Sequence, residues 1–131
     1  MRDINKIIIH CSDSNNLLHD NIDAIDDMHR ANGWAGIGYH YFIDRQNAGI
    51  HIGRSIAKVG AHTFGENRKS IGICMSGRNG FTVKQMLALA KLCNNLLSIF
   101  NLSREDIYPH NKFNEKKTCP NFDIEILKNL M

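Results

Sequence analysis

The sequence predicts a single α/β (α+β) domain in which helices flank a mixed central β-sheet. Three observations lead there. Short β-branched runs alternate with stretches of helical period. The longest helical stretch carries a strong start signal. No repeat, linker or low-complexity segment breaks the order. Strands interleaved with helices can bury their apolar faces against one another only in layered architectures of this kind. At 131 residues one domain is expected, spanning 1–131 without a second, separate unit and large enough to form a core without disulfides.

Ile4 to His10 reads as a buried strand that ends in the polar run Ser12 to Asn16. Asp20 or Asn21 can cap a helix carrying Ile22, Ile25, Met28 and His29 on one face, with Gly33 as its stop. Trp34 is expected to pack on or cap the turn that follows. From Ile37 to Asp44 the pattern alternates, with Tyr39, Tyr41 and Ile43 on one face and His40 and Phe42 on the other. Gln46 to Gly49 is a turn, and Ile50 to Gly53 returns as the second arm of a hairpin. A polar loop from Arg54 to Lys69 holds His62, and Ser70 to Met75 is another core strand. Thr82 and Gln85 form a capping box for a helix from about Val83 to Phe100. Its core stripe is Met86, Leu89, Ala90, Cys93, Leu96, Leu97 and Phe100. Ser103 to Asp106 suggests a short helical turn, Ile107-Tyr108 leads into Pro109-His110, and Asp123 can cap a last helix from Ile124 to Leu130.

Composition narrows the function classes. Hydrophobic residues are 43% and charged residues 22% of the chain, an ordinary globular balance that argues against disorder. The formal net charge of +3 favours an anionic surface such as a cell-wall polymer, but it is too small and scattered for nucleic-acid binding. No apolar run approaches the ~18 residues of a membrane span and no secretory leader is evident, so no membrane insertion is expected. The chain is expected to be made in the cytoplasm and to be a monomer. The four cysteines show no disulfide-framework spacing. Cys74 and Cys93 read as small buried hydrophobes.

Three separated stretches carry the chemistry: Ile7 to Ser12, Gly38 to Ile43, and His110 followed by Lys117-Thr118-Cys119-Pro120. Together they supply two imidazoles and a thiolate that can hold a metal, beside a phenol and an ammonium. A three-ligand zinc site keeps a position open for water, which points to a hydrolase rather than a structural zinc knuckle. Taken alone, His10 reads first as a core histidine bonded to a backbone carbonyl. His110 and Cys119 are nine positions apart and match no zinc-finger or H-E-x-x-H spacing. Cys11, next to His10 on a strand, should point to the opposite face and be core. His19, His29, His40 and His51 read as surface or core residues.

Five segments in register add to this reading. Ile8-Ile9-His10-Cys11-Ser12, Gly36 to Ile43, Val59-Gly60-Ala61-His62, Asn67 with Ser70-Ile71-Gly72-Ile73, and Lys117 to Asp123 resemble the type 2 N-acetylmuramoyl-L-alanine amidases. That family includes amidase-type phage lysozymes and peptidoglycan-recognition proteins. The resemblance implies one catalytic zinc ion on His10, His110 and Cys119, with water as fourth ligand. It implies hydrolysis of the amide between the lactyl group of N-acetylmuramic acid and L-alanine in peptidoglycan. Tyr39 and Lys117 match the residues flanking the metal, and His62 a position near the substrate cleft, suited to peptide or oxyanion.

Endolysin-like lysis in a phage or prophage setting, acting on the wall after release, is the expected role. The alternatives are a non-catalytic peptidoglycan-recognition module, or an amidase with an added RNA polymerase-binding role. Two departures stand out: the hairpin turn and the His110–Cys119 segment each look one residue longer than in close relatives. The second leaves Lys116 as a competitor to Lys117, which keeps the two-residue offset from Cys119.

Overall fold

The computed structural model describes residues 2–131. Five strands form one sheet: β1 (Lys6–Cys11), β2 (Tyr41–Ile43), β3 (Ile50–Ile52), β4 (Ser70–Met75) and β5 (Ile107–Pro109). Their spatial order is β3-β2-β4-β1-β5. β1 is parallel to β4 and β5, β2 is parallel to β4, and the hairpin partner β3 is antiparallel at the edge. The sheet is therefore mixed. Three helices cover it: α1 (Ile22–Ala31), α2 (Val83–Phe100) and α3 (Ile124–Leu130).

Register decides what each face carries. His10 pairs with Cys74, which also pairs with Phe42, while Ile8 pairs with Gly72 and Tyr108. Directly paired residues share a face, so these side chains lie on one side of the sheet and Ile7, Ile9, Ile71 and Ile73 on the other. The Ile side is the main core, where α2 inserts Leu89, Ala90, Cys93 and Leu96 and α3 inserts Leu127. Burying each of these leucines is worth about 2–3 kcal/mol. The opposite side holds a smaller cluster of Ile25, Ile37, Phe42 and Cys74 under α1.

The helix starts follow the expected chemistry. Thr82 and Gln85 exchange both capping-box hydrogen bonds at 3.0 Å, and Asn21 accepts from the Ala24 amide at 2.8 Å. The Gln85 amide also donates to the Ser76 carbonyl at 2.9 Å, which accounts for a fully buried polar residue on the apolar stripe.

α1 is also held by polar contacts: Asp26 accepts from the Ile37 amide at 2.7 Å and His29 Nδ1 from the Gly38 amide at 2.9 Å. Met28, expected on its inner face, is 39% exposed. The helix meets the chain at Ile25 and His29, leaving Met28 to one side. Trp34 meets His29 edge to face, with ring centroids 4.6 Å apart and the planes inclined at 60°.

Three further expectations need correction. β1 runs from Lys6 to Cys11 rather than from Ile4 to His10, and Ile107–Pro109, read only as a lead-in, is a strand paired with β1. The alternation from Ile37 does not extend through the hairpin arm. β2 begins only at Tyr41, after a bend at His40. Tyr39 consequently packs with Ile25, Phe42 and Cys74 and not on the side of Tyr41 and Ile43. The hairpin turn is held by Asp44, which accepts from the amides of Asn47 and Gly49 and pairs with His51 Nε2 at 2.7 Å.

Candidate metal centre

The centre forms where β1 and β5 end together. His10 is the penultimate residue of β1, and His110 follows β5 directly. Strand alternation carries Tyr108 and His110 to the same side as His10. Cys119 returns on the loop before α3. One ligand atom from each of His10, His110 and Cys119 lies within 4.8 Å of the other two. Two imidazoles and one thiol at that separation suit a single borderline-soft divalent cation, zinc above all.

The loop between His110 and Cys119 absorbs its length in a turn at Asn114. The Asn114 carbonyl accepts from the Lys117 amide at 3.0 Å, and its side chain accepts from the Lys116 amide at 3.1 Å. The Asn111 amide donates to the Cys119 carbonyl at 3.0 Å, closing the loop at its base. In this arrangement Lys117 lines the cavity beside Cys119, together with Cys11, Ser12, Asp13, Tyr39, His110 and Thr118. The cavity measures about 220 Å³. Lys116 is exposed and does not line it.

An adjoining groove of about 420 Å³ runs from Trp34 and Tyr39 past His62 to His110, Asn114 and Lys117. The fully exposed ring of Phe64 lies on its lining. A separate groove near Arg30 and Arg54 contains none of the cluster. Its guanidiniums are already occupied, Arg30 with Asp26 and Arg54 with backbone carbonyls.

Electrostatics keep the imidazoles neutral. Burial, then the neighbouring His62 and His110, hold His10 well below the ordinary histidine range. Burial and the Lys117 ammonium lower His110. A neutral imidazole offers the lone pair that a metal requires. Burial and the nearby cysteine sulfurs push the Tyr39 phenol well above its usual value, so it remains a hydrogen-bond donor.

The Cys119 sulfur accepts from the Cys11 amide at 2.7 Å, a contact that favours the thiolate. Without a cation, the hydrogen bond with the Cys11 thiol and burial instead raise Cys119. A divalent cation would reverse that balance.

His62 lies beside His10, its Nδ1 2.9 Å from His10 Nε2. Cys11 is buried as expected but adjoins Cys119 instead of lying away from the site. Cys74 and Cys93 are fully buried. Thr63 and Ser70 also reach this cluster, through His62. Neither was assigned a role from the sequence: Ser70 stood only within a segment that carries the family resemblance, and a Thr in a polar loop has no distinguishing signal.

The chain is similar to known proteins in both sequence and fold. The family model described as N-acetylmuramoyl-L-alanine amidase matches residues 1–122. The endolysin of Enterobacteria phage T3 is 31% identical over 131 residues, covering 91% of this chain and 82% of that one. The solved N-acetylmuramoyl-L-alanine amidase LysC from Clostridium intestinale superposes with a TM-score of 0.87 at 32% identity, over 98% of this chain and 85% of that one. Drosophila PGRP-LB shares the fold, with a TM-score of 0.76 at 23% identity over 92% and 76% of the two chains.

Proposed function

The chain belongs to the N-acetylmuramoyl-L-alanine amidase family, and from that premise we propose that it is a zinc-dependent, endolysin-like amidase of peptidoglycan. The bond cut joins the lactyl group of N-acetylmuramic acid to the L-alanine of the stem peptide. Residues 1–131 act as one catalytic domain on the cell wall. The observation that carries the reading is the convergence of His10, His110 and Cys119 within 4.8 Å, beside a cavity lined by Tyr39 and Lys117.

His10, His110 and Cys119 would hold the zinc. When bound, the ion would lower the pKa of a water towards ~7 and polarise the scissile carbonyl. The chain's own groups do the rest. The Lys117 ammonium stabilises the negative charge that develops on the carbonyl oxygen as water adds to the carbon. Tyr39, held as a neutral phenol, donates a hydrogen bond that orients the attacking water. Between them they assist passage of a proton to the departing alanine nitrogen, which leaves as the amine while the lactyl group becomes a carboxylate. The cavity shields these groups, and the adjoining groove gives the stem peptide and sugar room to lie beside them.

The test is mass spectrometry of purified cell wall digested by the protein with zinc, with chelator, and with zinc restored. Free stem peptides beginning at L-alanine should form, cease with chelator and return with zinc. A lactyl–alanine amide left intact by metal-replete protein overturns the reading.

A further inference from the structure

We propose that His62 is a positioning residue that fixes the tautomer of His10, so that Nδ1 of His10 carries the lone pair offered to the metal. The inference rests on the metal-binding reading of His10 above and assigns His62 a role within it.

The argument starts at the far end of a hydrogen-bond chain. The Ser70 hydroxyl has one hydrogen and donates it to the Glu66 carbonyl at 2.7 Å. Its oxygen can therefore only accept from His62 Nε2, 3.3 Å away. His62 accordingly carries its hydrogen on Nε2, and its Nδ1 is an acceptor. That Nδ1 faces His10 Nε2 at 2.9 Å, so His10 must be the donor and its Nε2 is protonated. The opposite tautomers would set two lone pairs, or two hydrogens, against each other in a buried place. In a neutral imidazole this leaves the lone pair on Nδ1 of His10. Thr63 Oγ1, 2.9 Å from His62 Nδ1 and 3.3 Å from His10 Nε2, accommodates the same arrangement by donating to the first and accepting from the second.

The ring of His62 is also seated by shape. A Cβ on Gly72 would come within 2.6 Å of it, and a Cβ on Gly60 within 2.7 Å. Two glycines thus leave a slot in which only a flat ring lies. The loop backbone is pinned there by Asn67 Oδ1, which accepts from the amides of His62 and Thr63, both at 2.9 Å. Both ring nitrogens of His62 point into the protein. Its direct polar role is therefore towards His10, although the ring edge lines the groove where the sequence suggested substrate contact.

Two measurements test this. Long-range ¹H–¹⁵N correlation spectra of the labelled, metal-free chain should show His10 and His62 both protonated on Nε2; a hydrogen on Nδ1 of His10 overturns the proposal. That measurement needs no variant, so it decides even if a substitution prevents folding. Zinc affinity is then read by chelator competition. His62→Leu should weaken binding by about 10–100-fold, the usual effect of removing an outer hydrogen-bond partner of a ligand. His62→Asn, whose amide oxygen can replace the acceptor, should recover most of it. If the unaltered chain binds no zinc, the metal reading itself falls. If it binds zinc and folded His62→Leu binds equally well, only the positioning role falls.

Discussion

The backbone amide of Cys11 donates to the sulfur of Cys119 at 2.7 Å, across 108 residues of sequence. A strand that already supplies His10 to the His10–His110–Cys119 cluster thus also directs its next N–H at a second member of it. The amide cannot titrate away, so it offers the sulfur the same partial positive charge at every pH.

Replacing that sulfur should therefore remove more than one contact. Cys119→Ala is expected to reduce zinc affinity by more than the ~10–100-fold typical of an outer partner, with amidase activity lost in parallel. Metal content after dialysis, measured beside the rate of muropeptide cleavage, checks both. A variant that retained one zinc per chain and full activity would remove Cys119 from the centre.

The two lysines before Cys119 separate cleanly. Lys117→Met is expected to lower kcat on the order of 100-fold or more, with little change in KM, because the charge that Lys117 is proposed to stabilise exists only as the carbonyl is attacked. Lys116→Met should leave both constants near their original values. Equal losses in the two variants would contradict the assignment to Lys117.

Tyr39→Phe tests the phenol with minimal disturbance of packing. A decrease in kcat of ~10²-fold or more is expected if the hydroxyl assists proton transfer. Zinc affinity should remain unchanged, since Tyr39 is not one of the three grouped donors. Unchanged turnover would limit Tyr39 to packing.

His40 predicts an acid-sensitive fold. Its Nδ1 accepts from the Gly72 amide at 3.1 Å and its Nε2–H donates to the Lys58 carbonyl at 2.9 Å. Protonation would set a second hydrogen against the Gly72 N–H. Burial, outweighing the favourable Lys58 contact and aided by Arg2, lowers its pKa to about 4. The unfolded chain takes up this proton near 6.5, so the stabilisation is complete above that pH and is lost as pH falls towards 4. Urea titrations of the metal-free chain should show a loss on the order of 2 kcal/mol from this group between pH 7 and pH 4.5. His40→Gln should show a smaller pH-dependent loss, and an equal one would refute the assignment.

Leu89 is fully buried between α2 and the sheet. Leu89→Ala should cost about 2–5 kcal/mol in urea unfolding, while the rate per folded molecule stays near wild type because the His10–His110–Cys119 cluster lies on the other side of the sheet. A loss below 1 kcal/mol would mean that this side of α2 can collapse around the gap.

What the sequence made legible follows from where its signals are local. The capping box at Thr82 and Gln85, the apolar stripe of α2 and the β-branched run of β4 are each written within a few residues, and each forms where expected. β5 is too short for periodicity to mark, and Pro109 argues against a strand until its place at the sheet edge is known. Tyr39 was assigned a face by counting alternate residues, which holds only in an unbroken strand; the bend at His40 interrupts the count. His10, His110 and Cys119 were legible as chemistry and from the family resemblance. The hydrogen-bond chain behind them was not, because Ser70 and Thr63 acquire meaning only when the Arg54–Lys69 loop folds over Gly72.

The pairing of β5 with β1 gives the centre a place in time as well as in space. Its first donor, His10, is synthesised 109 residues before its last, Cys119, so no contiguous fragment short of Cys119 contains all three. The parallel pairing that unites them also belongs to the slow, non-local class of contacts. On the proposed reading, a nascent or truncated chain is metal-poor and inert, and catalytic competence arrives as a late event of folding. Cation binding would then draw the folding equilibrium towards the finished state.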